Sequence, residues 1–246
     1  MPTGLLWRAR AVELRQRARW HRHGNSVVWR LTDRGVALCS GVLPVSRVAR
    51  HRRRWIPRVW RDFGPMIAEA AARRNVPAEL IISVIVNESG GRRGTINTYS
   101  RYVSDARTPS RVSIGLGQML LSTARAIMKD RSIDRAWLMT PRNAIDAIAV
   151  YLDRQYRTTG FDPPLVAAAY NAGALYRDPS PANRWRLRNH PVGRSIYIDT
   201  FVAVANAASE HLRRTGKPPR HSFAALLSGT ALRPTLRPDC GKRCGR

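Results

Sequence analysis

Three short stretches combine side chains that can move a proton or hold a polar ligand. The first is Glu88, which ends the apolar run AELIISVIVNES and directly precedes Ser89-Gly90-Gly91. A carboxylate at a helix C-terminus opposes the helix dipole, and apolar neighbours disfavour its charged form. A carboxyl group held protonated near neutral pH is what an acid catalyst needs. The second stretch is Gly115-Leu116-Gly117-Gln118, where the glycines allow close backbone approach and the glutamine amide offers both donor and acceptor. The third is Ala169-Tyr170-Asn171-Ala172-Gly173, an apolar segment ending in a phenolic hydroxyl and an amide. Each has an ordinary structural explanation when taken alone: a surface glutamate, a tight turn and a core tyrosine.

The elements that must position these groups read as helices. Gly64-Pro65 opens a run with Met66, Ile67, Ala70 and Ala71 at helical spacing, and Pro77 suits the first turn of a second helix. Leu80, Ile81, Val84 and Ile85 form its buried stripe, and Gly90-Gly91 ends it. Residues 92–113 lack periodicity and read as a loop with a short ribbon at most. Thr140-Pro141 starts a helix with Ile145, Ile148, Ala149, Leu152 and Tyr156 on one face, and Asp162-Pro163 opens a short buried one. A last helix from Ser195 to about Arg213 gathers Ile198, Phe201, Val202, Ala205 and Ala208. The expected fold is mainly α, a helical domain over 61–213.

Outside that region the chain changes character. The net charge is +27 over 246 residues, and lysine occurs only at 129, 217 and 242. Residues 1–60 carry 14 arginines against two acids, and residues 213–246 carry nine basic groups against one. The Arg/Trp-rich segment 1–60 and the tail 214–246 are therefore expected to be poorly ordered basic extensions attracted to polyanions. A GC-rich coding sequence would produce the same arginine bias without functional content. No stretch has the roughly 18 uninterrupted apolar residues of a membrane-spanning helix. Three cysteines do not make a disulfide scaffold, and Cys240 and Cys244 read as free thiols in the tail.

Taken together and in order, Glu-Ser-Gly-Gly, Gly-Leu-x-Gln and Ala-Tyr-Asn-Ala-Gly resemble the catalytic domain of soluble lytic transglycosylases, the lysozyme-like family that cleaves peptidoglycan. The resemblance covers about residues 62–212. Asn143, in PRNAIDAIAVYLDRQ, is similar to the family's NI-x-x-G-x-x-YL segment, with Ala147 in place of its glycine. Gly117 stands where the family usually has methionine, and Tyr197 in GRSIYIDTF resembles the family's final tyrosine.

The resemblance implies a lysozyme-like fold and cleavage of the bond between N-acetylmuramic acid and N-acetylglucosamine, with Glu88 as sole acid and base. It implies a substrate surface of Ser89, Gly115, Gln118, Tyr170, Asn171 and Tyr197, with Tyr170 touching Glu88 and Asn171 bonding sugar groups. The family's active-site serine stays open among Ser104, Ser110 and Ser113. No metal and no cofactor are implied. The expected partners are peptidoglycan glycan strands, together with anionic wall or outer-membrane polymers at the basic ends. No specific nucleic acid is expected, and the chain is expected to be a monomer.

The runner-up reading is a hydrolytic muramidase using Asp105, the only acid in the following loop, as second carboxylate. A basic polyanion- or nucleic-acid-binding protein stands behind it. Action in the periplasm or cell wall is expected. The only signal-like run, Val36 to Val45, lies far from Met1 and contains Pro44. Phage-type release, association with a secretion apparatus or a misassigned start would each account for that.

Overall fold

The structure, a computed structural model, describes residues 3–190 and 192–232. In chain order it contains α1 (Thr3–Gln16), the strands β1 (Trp29–Thr32) and β2 (Gly35–Leu38), α2 (Arg47–Arg53), α3 (Ile56–Arg74) and α4 (Ala78–Glu88). Strands β3 (Ile96–Thr98), β4 (Val112–Ile114) and β5 (Met119–Leu120) follow. After them come α5 (Leu121–Met128), α6 (Arg135–Met139), α7 (Pro141–Arg154), α8 (Tyr156–Thr159), α9 (Pro163–Ala172), α10 (Ile196–Arg214) and α11 (Phe223–Leu226). The mainly helical class expected from the sequence holds.

The central element is α4. Every residue from Ala78 to Asn87 is buried, and α3, α7 and α10 pack around it. A helix that is apolar on all sides is stable only when neighbours cover all of it. Two small antiparallel sheets complete the molecule. One is the β1–β2 hairpin, paired from Trp29↔Leu38 to Thr32↔Gly35. The other is β3–β4–β5, with Ile96 opposite Ile114 and Ile114 opposite Met119. It is the ribbon that the loop 92–113 left room for.

Helix α3 begins earlier than the sequence suggests, at Ile56, and runs through Gly64-Pro65. Proline removes one backbone donor from a helix interior. Here Ile56 and Val59 before it and Ile67, Ala70 and Ala71 after it share one buried face. That continuous burial outweighs the lost hydrogen bond.

The described part of segment 1–60 corrects the expectation of a poorly ordered extension. Trp7, Leu14, Trp29, Leu31, Val36, Leu38, Leu43, Ala49 and Ile56 belong to the same hydrophobic core as α4 and α10. The indole of Trp29 is fully buried and donates to Asp162 Oδ1 at 2.9 Å, while His21 Nε2 lies 2.7 Å from Asp162 Oδ2. Arg10 is buried among carbonyls: its Nη1 donates to the C=O groups of Arg74 and Asn75 at the end of α3, and its Nη2 to Asp153 at 2.5 Å. An arginine on the core-facing side of α1 hides the apolar stripe of Trp7, Ala11 and Leu14.

Part of the C-terminal tail folds as well. Phe223, Ala224 and Leu227 join the core, and Asp33 accepts hydrogen bonds from the N–H groups of Gly229 and Ala231. Cys39 is disulfide-bonded. Cys240 and Cys244, read as free thiols, lie outside the described residues, as does the tail from 233 onward.

Candidate active site

Glu88 is the one residue of α4 that is not buried. The chain then turns through Ser89, Gly90 and Gly91, whose glycines have φ of 62° and 83°. At Gly91 a Cβ would also lie 3.0 Å from Val59 Cγ2, so the turn fits closely against α3. Tyr197, in the first turn of α10, donates its hydroxyl to Glu88 Oε1 at 2.5 Å. Burial pushes the Glu88 carboxyl up from its ordinary range, against the Tyr197 hydrogen bond and the nearby charge of Arg52. Burial and then the charge of Glu88 hold the hydroxyls of Tyr170 and Tyr197 far above their usual range. Both therefore stay neutral donors at any working pH.

The Gly115–Gln118 segment is joined to this helix end by Ser89. The Ser89 hydroxyl donates to the C=O of Leu116 at 2.8 Å, and the residue is 1 % exposed. That corrects the expectation that Ser89 touches substrate: it fixes one loop to another from inside. Gly115 has φ of 74°, and a Cβ there would meet the Leu138 carbonyl at 2.3 Å. Gly117 is required by space instead, since its Cβ would lie 2.7 Å from Ile148 Cγ1 and 2.8 Å from the Tyr170 hydroxyl.

Gln118 anchors the small sheet. Its Nε2 donates to the C=O groups of Thr95 and Gly115, both at 2.9 Å, and its Oε1 accepts from Asn97 at 2.5 Å and Ser113 at 3.0 Å. Two donors and two acceptor positions exhaust an amide side chain. In this state Gln118 has no hydrogen-bonding position left for a sugar.

Tyr170 and Asn171 occupy the last turn of α9. The Tyr170 hydroxyl donates to the C=O of Gly117 at 2.8 Å, and its ring packs edge-on against Tyr151 at 5.3 Å. The hydroxyl bonded to Glu88 is that of Tyr197, whereas the Tyr170 hydroxyl is bonded to the glycine loop. Asn171 Oδ1 accepts from the N–H of His190 at 2.8 Å, which ties down the segment between α9 and α10.

Of the three serines left open, Ser113 is fully buried between Gln118 and Tyr99. Ser104 caps a turn by accepting from the N–H of Arg107, and Ser110 is exposed. Asp105 is paired with Arg135 at 2.6 Å and accepts from Tyr102 at 2.7 Å. The Arg135 guanidinium holds its carboxyl below the usual range. A carboxylate committed to a guanidinium fork is poorly placed to act as a nucleophile or base.

Two neighbours of the site escape sequence reasoning. Asn97 bonds Gln118 across the sheet, and Arg52 of α2 donates to Asn87 Oδ1 at 2.9 Å, one residue before Glu88. Nothing in HRRRW distinguishes Arg52 from the arginines beside it.

Comparison with known families agrees with this geometry. The transglycosylase SLT domain matches residues 65–185. No curated protein matches the chain. The matched stretch contains Glu88, the Gly115–Gln118 segment and Tyr170-Asn171. It begins after Arg52 and stops before Tyr197.

Proposed function

The chain belongs to the lysozyme-like transglycosylase SLT family, and we propose that it cleaves the β-1,4 bond between N-acetylmuramic acid and N-acetylglucosamine without consuming water. The observation that carries this reading is a single accessible carboxyl, Glu88, at the end of a buried helix with a neutral phenol on it. In the first step Glu88 gives its proton to the glycosidic oxygen, and the sugar–oxygen bond breaks. The substrate's own acetamido group stabilises the oxocarbenium-like carbon, as in substrate-assisted glycosidases. Glu88, now ionised, takes the proton of the muramoyl 6-hydroxyl, whose oxygen bonds to the same carbon and closes a 1,6-anhydro ring. Glu88 ends the cycle protonated, and the proton count balances.

The environment favours both halves of that cycle. Burial favours the protonated form of Glu88, and the Tyr197 hydroxyl supports the carboxylate once it forms. Hydrolysis through a second carboxylate is disfavoured by the engagement of Asp105 with Arg135 and Tyr102. The expected test result is that Glu88→Gln stops release of soluble muropeptides from purified peptidoglycan while helical circular dichroism stays unchanged. Activity within a few-fold of the original would exclude Glu88 as the acid.

Glycan strands are the substrate in this reading. A groove of about 1100 Å³ between α2 and α10, lined by Arg47, Arg50, Arg54, His51, His211 and Arg214, supplies a surface for anionic wall or outer-membrane polymers. Its carboxylate, Glu210, is already held by Arg213 and Arg214. The disulfide at Cys39 fits an oxidising compartment such as the periplasm or cell exterior. No described helix is long and apolar enough to cross a membrane.

A further inference from the structure

Glu88 must be an acid at one moment and a base at the next, and burial by itself favours only the acid. Burial disfavours its charged form, and it ends a helix whose dipole is negative there. The side chains that bear on it come from three other elements: Tyr197 from α10, Tyr170 from α9 and Arg52 from α2. Only Arg52 carries a positive charge.

Arg52 is not an unanchored surface arginine. Arg50, Arg53 and Arg54 are exposed, whereas Arg52 is half-buried and gives Nη1 to Asn87 Oδ1 at 2.9 Å. Asn87 is itself buried and fixed, with its Nδ2 donating to the C=O of Ser83 at 2.8 Å within α4. Just beyond α2, the Trp55 ring lies over the turn after Glu88, 3.8 Å from where a Cβ of Gly90 would be. The helix bearing Arg52 is thus held against the end of α4 at two points.

We propose that Arg52, delivered by a helix outside the matched SLT stretch, is a positioning residue that holds a counter-charge beside Glu88 and lets one carboxyl serve as acid and then as base. The segment before residue 65 then belongs to the catalytic unit. This rests on the transglycosylase reading above. Without Arg52 the carboxylate left after bond cleavage has only the Tyr197 hydroxyl to support it, and the first proton transfer, which creates that charge, becomes the slow step.

The experiment uses the full chain and compares the parent with Arg52→Gln, Arg52→Lys and Asn87→Ala. Glu88 must be protonated to start the reaction, so the basic limb of the kcat/KM profile reports its ionisation. In Arg52→Gln that limb moves to higher pH by about one unit, and kcat falls roughly tenfold as the base becomes harder to form. Arg52→Lys keeps the charge and returns the limb most of the way, while Asn87→Ala shifts it in the same direction by less. Direct NMR titration of the Glu88 carboxyl shows the same order, whatever happens to turnover.

An unmoved limb and titration in Arg52→Gln, with a lowered melting temperature only, would overturn the proposal and leave Arg52 a packing residue. Failure of the transglycosylase reading looks different. In that case Glu88→Gln remains active, whatever Arg52 does.

Discussion

Helix α4 carries two glutamates nine residues apart, and they have opposite fates. Glu79, in its first turn, is completely buried and accepts the N–H groups of Phe223 and Ala224, both at 2.9 Å. Burial raises its carboxyl to about 7 despite those bonds. Glu88, at the other end, is also raised by burial, but it faces a hydroxyl and a guanidinium and remains partly open. A displaced pKa is therefore common to both and identifies neither. Access and the partners that can support a change of charge separate the proposed catalyst from the structural carboxylate.

The largest contrast between the two is in turnover. Glu88→Gln should lower the rate by at least the ~10²–10⁴-fold that general acid–base catalysis supplies. Glu79→Gln, assayed well below its melting temperature, should keep the parent rate within a few-fold. Equal losses in the two variants would remove the distinction drawn here.

Stability should show the reverse pattern. Ending the chain after Gly216 removes the backbone donors on Glu79 and uncovers the site filled by Phe223 and Leu227. Loss of a buried aromatic alone costs about 3–5 kcal/mol. A buried carboxylate stripped of its partners adds to that. Denaturant unfolding should show a protein near or below its folding threshold. A truncated chain of parent stability would mean that α11 is an ornament.

The smallest effect is the pH dependence. Because the folded Glu79 carboxyl titrates near 7 rather than near its ordinary 4.5, the folded state holds this proton more tightly than the unfolded one. Its contribution is fully present below about pH 4.5, declines above it and is lost as pH rises through 7. The loss is on the order of a few kcal/mol. Glu79→Gln should flatten that part of the melting-temperature profile.

The sequence makes the chemistry of this molecule easier to see than its boundaries. Three hydrogen bonds join the segments that motif order singles out: Tyr197 to Glu88, Ser89 to Leu116 and Tyr170 to Gly117. Their division of labour is not written there. Whether a phenol reaches Glu88 from α9 or α10 depends on packing between helices far apart in the chain, and the hydroxyl of Tyr170 is drawn to Gly117 instead. The first sixty residues are hidden for another reason. Their core positions are few, one of them is Arg10, and Trp29 needs Asp162, 133 residues away, to complete its hydrogen bond. Composition reads such a segment as a charged arm, while burial in three dimensions makes it part of the body.

The central claim is that no water enters the reaction, and it is tested most directly by digesting purified peptidoglycan in water enriched in heavy oxygen. Mass spectrometry of the released glycans should show muramic acid ends one water lighter than a reducing sugar and free of the label. Reducing ends that carry the heavy oxygen would show that water attacks the anomeric carbon, and the transglycosylase account would be wrong.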